Sequence, residues 1–218
     1  SNIGQGGMRL QRAYSPRDVQ HIRRERIPLE GDWQRVFGQP EWGDPWFIIG
    51  PSASGKSSFV MQLCKALSRI SGVLYVSLEE GIGLTMKERL ARFKMNECQG
   101  RFRLITDCDM DDLKARLKKA KSARFIIIDS IQFACDSGWD YQKTKELYQS
   151  FPRKTFIFIS QQLKSEPVGK SAGRLKYACG VKVETKGYRA FCLGRYSQDV
   201  SAYYDIWPER SVEVWNGK

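Results

Sequence analysis

A loop of the form Gly-x-x-x-x-Gly-Lys-[Ser/Thr] between a strand and a helix leaves a chain few architectures. Residues 50–57, Gly50-Pro51-Ser52-Ala53-Ser54-Gly55-Lys56-Ser57, have that form. The apolar run Trp46-Phe47-Ile48-Ile49 enters it as a short buried strand, and Phe59, Leu63, Leu67 and Ile70 recur behind it at helical spacing. Glycines let a backbone wrap an anion with its N–H groups pointing inward, and a following helix N-terminus adds partial positive charge. The loop and its first helical residues, Gly50 through Ser57 with Ser58, therefore read as a cradle for the phosphates of a nucleoside triphosphate. Lys56 is placed to reach the β- and γ-phosphates, and the Ser57 hydroxyl to ligate Mg²⁺.

Around this loop the chain alternates strand and helix. Val73–Leu78, Phe102–Ile105, Phe125–Ile128 and Thr155–Ser160 are apolar, β-rich runs, and the segments between them predict helices, including one after Asp109 and one over 141–150. This alternation predicts an α/β fold whose mostly parallel sheet is covered by helices on both faces. The tail, with Val181–Glu184, Arg189–Leu193, Ala202–Trp207 and Val212–Trp215, reads as an antiparallel strand extension. Residues 163–174, rich in Gly, Ser, Pro and Lys, read as a loop. Ser15-Pro16 opens a basic helical stretch through Arg26, and residues 28–45 read as a connector folded over the core. The boundaries expected are an N-terminal extension over 1–34, loose at its start, and a core over 35–218.

The 218 residues hold 36 Lys and Arg against 24 Asp and Glu, a formal charge of +12, which suits a polyanionic partner. Six cysteines without a C-x-x-C pair, beside a single histidine, argue against a zinc site and for free intracellular thiols. No apolar run approaches a membrane span and the N-terminus has no signal-peptide pattern, so a cytoplasmic location with no membrane partner is expected.

In an open α/β sheet ligands bind at the carboxyl ends of the strands, and here those ends carry chemistry. Phe125–Ile128 delivers Asp129, the second acidic element that a phosphate-loop site needs for Mg²⁺. Val73–Leu78 delivers Glu79 and Glu80. Either glutamate can accept a proton from an attacking water, and Glu79, one residue nearer the strand, is preferred as the base. Thr155–Ser160 delivers Gln161, whose amide has a donor and an acceptor with which to sense a γ-phosphate.

These four elements in this order, Gly50–Ser57, Tyr75-Val-Ser-Leu-Glu-Glu, Ile-Ile-Ile-Asp129-Ser-Ile-Gln and Ile-Ser160-Gln161, resemble the RecA-like ATPase superfamily, in the RadA, DnaB-type and KaiC flavour. The resemblance spans about residues 35–215. It implies a RecA-like ATPase core using ATP and Mg²⁺, with Glu79 as catalytic base and Gln161 as the sensor coupling hydrolysis to DNA. It further implies a ring or filament of identical subunits, with loops 131–140 and 163–174 facing a single-stranded DNA. Lys164, Lys170, Arg174 and Lys176 fall where phosphate contacts are needed. Leu193-Gly194-Arg195-Tyr196 is similar to the basic element through which a neighbouring subunit completes the site. Arg195 stands in the arginine place, and Leu193 departs from the usual lysine, which leaves Lys186 or Arg189 as substitutes. The added domains of RadA and of the DnaB-type helicases are absent from the pattern. Two readings follow: an ATPase acting on single-stranded DNA in recombination, repair or replication, or a KaiC-like ATP-driven switch whose partner is a protein. A small-molecule kinase is disfavoured, because no arginine-rich lid is visible.

Overall fold

A computed structural model of the chain describes residues 10–163, 166–197 and 199–217. Its centre is an eight-stranded sheet. In chain order the strands are β1 (Trp46–Ile49), β2 (Val73–Ser77), β3 (Phe102–Thr106), β4 (Phe125–Asp129), β5 (Thr155–Ser160), β8 (Val181–Lys186), β9 (Arg189–Cys192) and β10 (Tyr203–Asp205). A separate antiparallel pair of two-residue strands, β6 (Gln162–Leu163) with β7 (Glu166–Pro167), follows the end of β5. Strands run in the order β10-β9-β8-β1-β5-β4-β2-β3. The six from β8 to β3 are parallel, and β9 and β10 continue the sheet antiparallel.

The strands are apolar throughout because helices cover both faces. Their period of two divides the core. Trp46, Ile48, Phe125, Ile127 and Ile157 point to one side, where α2 (Gly31–Phe37) and α3 (Lys56–Ser68) supply Phe37, Phe59, Leu63 and Leu67. Phe47, Ile49, Ile126, Ile128, Phe156 and Phe158 point to the other. There they meet Leu113 and Leu117 of α5 (Met110–Leu117), Ala134 of α6 (Ile131–Asp136), Leu147 of α7 (Tyr141–Gln149) and Leu175 of α8 (Lys170–Ala178).

Several expectations need correction. The expected strand at Val212–Trp215 is helical, within α9 (Pro208–Asn216). Its Val-Glu-Val alternation imitates a strand, but Pro208 at the first helical position and Glu209 in the first turn favour a helix start. Trp215 then packs on Phe191 and donates its indole N–H to Gly187 O at 3.0 Å. Of the expected loop over 163–174, residues 164 and 165 lie outside the described residues, and the described remainder includes the end of β6, β7 and the start of α8, where Ala172 and Leu175 lie three apart and bury together. The expected loop over 131–140 begins as α6, capped by Ser130.

At the N-terminus, α1 (Pro16–Gln20) has the capping box of Ser15 and Asp18 but ends before Arg23, Arg24 and Arg26. The boundary expected at residue 34 falls inside α2, and Ile27 and Leu29 are buried in the same core as Phe37, so the packing does not divide there. The start of the N-terminal extension, residues 1–9, lies outside the described residues. All six cysteines are unpaired, and among the described residues no helix is long and apolar enough to cross a membrane.

Candidate functional site

The carboxyl ends of β1, β5, β4 and β2 open into one cleft of about 920 Å³. The loop after β1 forms its floor. Gly50 has no room for a side chain, since a Cβ there would lie 1.9 Å from Thr185 Oγ1. The same Thr185 oxygen is 2.7 Å from Ser54 Oγ, which ties the loop to β8. Gly55 adopts a φ of 90° and starts α3 without any side-chain cap. The first N–H groups of a thirteen-residue helix are thus left open toward the cleft, an arrangement suited to a phosphate.

Lys56 lies across this floor, its Nζ donating to Gly50 O at 3.2 Å and to Ser160 O at 2.8 Å. Burial holds its pKa below the ordinary lysine value, against the pull of the Asp129 and Glu79 charges. Asp129, at the end of β4, accepts a hydrogen bond from the Tyr75 hydroxyl of β2. Burial pushes the Asp129 carboxyl above its ordinary range, and the Glu79 charge adds to this, while the Tyr75 bond, Lys56 and Arg89 oppose it.

The two glutamates after β2 are held differently. Glu80 Oε2 is 3.0 Å from Arg89 Nη1, an ion pair with α4 (Leu84–Arg92). Glu79 faces across the cleft, where Oε2 accepts from Gln161 Nε2 at 3.3 Å. One glutamate is occupied by a structural partner and the other looks onto the space between Lys56, Asp129 and Gln161.

Lys56, Ser57, Glu79, Asp129 and Gln161 therefore line one cleft, together with Glu80. Arg195 does not join them. Its Nε lies 3.6 Å from Asp44 Oδ2, and Asp44 precedes β1 whereas the phosphate loop follows it. Arg195 thus sits at the opposite end of the strand from Lys56. The suggested substitute Arg189 is bound to Ser211 Oγ at 2.7 Å and stacks over Tyr203 and Trp215. Of the four cations expected to meet nucleic acid, Lys170 and Arg174 are exposed on α8, Arg174 lying over the Tyr141 ring. Lys176 lies 3.9 Å from Glu184, and Lys164 is outside the described residues.

Other residues at the cleft escaped the sequence reading. Gln132, 9% exposed, donates to Ser160 Oγ at 2.8 Å and Val168 O at 3.0 Å, and its Oε1 accepts from Gln161 N at 2.8 Å. It clasps the end of β5 to the segment that carries the β6–β7 pair. In the sequence it stands as the last residue of the Ile-Ile-Ile-Asp129-Ser-Ile-Gln element, with nothing there to give it a role of its own. Arg89 and Arg92 of α4 also reach the cleft wall, as do Tyr188 and Trp207.

A metal would find a sparse donor set. Among the described residues no group of three or more His, Cys, Asp or Glu side chains converges. One carboxylate at Asp129 and one hydroxyl at Ser57 suit Mg²⁺, which keeps waters and takes its remaining ligands from phosphates. Filling the Asp129 position with a neutral group gives a test. Because the folded-state pKa is raised, the ionised carboxyl costs stability, and that cost grows as pH rises from the unfolded to the folded value. Asp129→Asn is expected to raise the melting temperature of the ligand-free protein at neutral pH and, if Asp129 is a ligand of Mg²⁺ in a Mg–ATP complex, to show no further rise when Mg–ATP is added. Thermal melts with and without Mg–ATP check both halves.

The parallel order β3-β2-β4-β5-β1-β8, with the loop after β1 and an acid after β4, is a RecA-like α/β fold, and the chain is similar to two known proteins. Over 113 residues the chain is 28% identical to the DNA repair protein RadA of Streptococcus pneumoniae, a match covering 51% of this chain and only 26% of that protein. Its structure is similar to that of the flagellar accessory protein FlaH from Methanocaldococcus jannaschii, at a TM-score of 0.61 and 18% identity, over 84% of this chain and 92% of FlaH. No family model matches the chain.

Proposed function

We propose that the chain binds ATP with Mg²⁺ and hydrolyses it, and that it does so on single-stranded DNA. The observation that carries the hydrolytic part is the Glu79 carboxylate in the same cleft as Lys56, in no ion pair among the described residues and in hydrogen-bond contact with Gln161. In this reading the open N–H groups of residues 53–58 and the Lys56 ammonium hold the β- and γ-phosphates. Ser57 and Asp129 would hold Mg²⁺, which would supply positive charge against the phosphate oxygens. Glu79 takes the proton of the attacking water, and Tyr75 keeps the Asp129 carboxylate turned toward the cleft. Gln161 exchanges its bond to Glu79 for one to the γ-phosphate. Its backbone is joined through Gln132 to Val168, so the change passes to the β6–β7 pair and to α8.

The DNA part is supported by the name of the RadA relative and by the exposed Lys170 and Arg174 on that helix. An oligomer in cytoplasm remains part of this reading, with Arg195 offered to a neighbouring subunit once released from Asp44. Phosphate release is to be measured with and without a single-stranded oligonucleotide, alongside binding at two salt concentrations. Stimulation with salt-sensitive binding is the expected outcome. Hydrolysis that is indifferent to DNA, with no binding at low salt, would refute the DNA assignment and favour a switch with a protein partner.

A further inference from the structure

Two aromatic rings stand at the cleft with no part in the chemistry above. Tyr188 is at the tip of the β8–β9 hairpin in a left-handed conformation, φ 62°, which costs energy for a side chain of this size. The surroundings hold it there. Its N–H donates to Ser54 O at 3.0 Å, its carbonyl accepts from Ile206 N at 2.9 Å, and its ring packs so closely on Gly55 that a Cβ there would be 3.0 Å away. Trp207 meets Tyr188 edge-on, with ring centroids 5.7 Å apart at 83°, yet remains 50% exposed. Arg210 places its guanidinium 5.4 Å from the Tyr188 ring centre and 5.9 Å from that of Trp207.

The sheet order tells which end of a bound nucleotide these rings would meet. β1, carrying the phosphate loop, lies between β8 on one side and β5, β4 and β2 on the other. The residues that would act on the terminal phosphate, Glu79, Asp129 and Gln161, all come from the β5–β4–β2 side. Tyr188 and Trp207 come from the β8 side, against the last glycine of the loop. A triphosphate whose γ-phosphate points to the acids must send its base toward the rings.

We propose that the exposed face of Trp207 is the surface on which the nucleobase stacks, with Tyr188 edge-on beside it and Arg210 at the rim. This rests on the reading of the cleft as a nucleoside triphosphate site. This surface offers a ring face, and every base has a π-face, whereas the acid and amide side chains of the cleft are all at the opposite end. It therefore recognises a base without choosing among bases, and ATP and GTP should bind within a few-fold of one another.

The test is equilibrium binding of ATP, GTP and inorganic tripolyphosphate, each with Mg²⁺, to the wild type, Trp207→Ala and Trp207→Phe. Loss of one base–aromatic stack should weaken both nucleotides by about 5- to 150-fold in Trp207→Ala. Trp207→Phe should recover most of it, and tripolyphosphate affinity should not change. Trp207→Ala that binds ATP like the wild type overturns the stacking surface, as does an equal loss for tripolyphosphate, which would make Trp207 a support of the phosphate loop. A tenfold or greater preference for one base overturns the ring-face reading. A wild type that binds neither tripolyphosphate nor ATP refutes the triphosphate site itself, which is a separate failure.

Discussion

Lys56→Ala is expected to abolish ATP turnover, with a loss of at least about 10²–10³ in rate, and to remove most triphosphate binding. The ammonium is held in the floor of the cleft by Gly50 O and Ser160 O, two carbonyls that fix its position without neutralising it. It is the one lysine lining the cleft among the described residues, so no neighbouring ammonium replaces it. The fold should survive. Burial already disfavours the charged form of Lys56, so deleting it removes a desolvation cost together with two hydrogen bonds to a partly open surface. A normal melt with no ATP binding separates loss of the site from loss of the protein. A variant that hydrolyses ATP at the wild-type rate would refute the phosphate-loop assignment.

The second large effect is expected at Glu79. Glu79→Gln keeps the size of the side chain and an oxygen for Gln161 Nε2, but cannot take a proton. It should bind ATP as the wild type does and hydrolyse it about 10²–10⁴-fold more slowly. Glu80→Gln should behave differently. It breaks the ion pair with Arg89, whose side chain is only 17% exposed, and loosens α4 against the end of β2. Its expected result is a lower melting temperature with hydrolysis largely retained. If the two phenotypes are exchanged, the base is Glu80.

What the sequence made legible follows from where the physical signal is local. Strands buried on both faces must be apolar runs, so β1, β2, β4 and β5 announce themselves, and the residues at their ends, Lys56, Glu79, Asp129 and Gln161, come with them. The tail misled because Val212–Trp215 is short enough for alternation and helical spacing to coexist. The bond from Trp215 to Gly187 that seats α9 joins residues 28 apart. α8 was hidden by Gly169 and Gly173, which read as loop until Ala172 and Leu175 find a core to enter.

The cleft shows the same division. Tyr75 reaches Asp129 only because β2 and β4 are neighbours, with Ser77 opposite Asp129. Gln132 meets Gln161 and Val168 only because α6 lies under the end of β5. Arg195 fits a sequence pattern, but its ion pair with Asp44 is set by the packing of the turn after β9 against the entry to β1. Nothing near Arg195 in the sequence foretells that pair.

Phosphate release measured side by side for wild type and Glu79→Gln tests most directly whether the cleft splits ATP by a base at Glu79. With saturating Mg–ATP and binding confirmed for both proteins, the wild type should release phosphate steadily and Glu79→Gln almost none. Equal rates in the two proteins, or a wild type that holds ATP and releases no phosphate with or without single-stranded DNA, would contradict it.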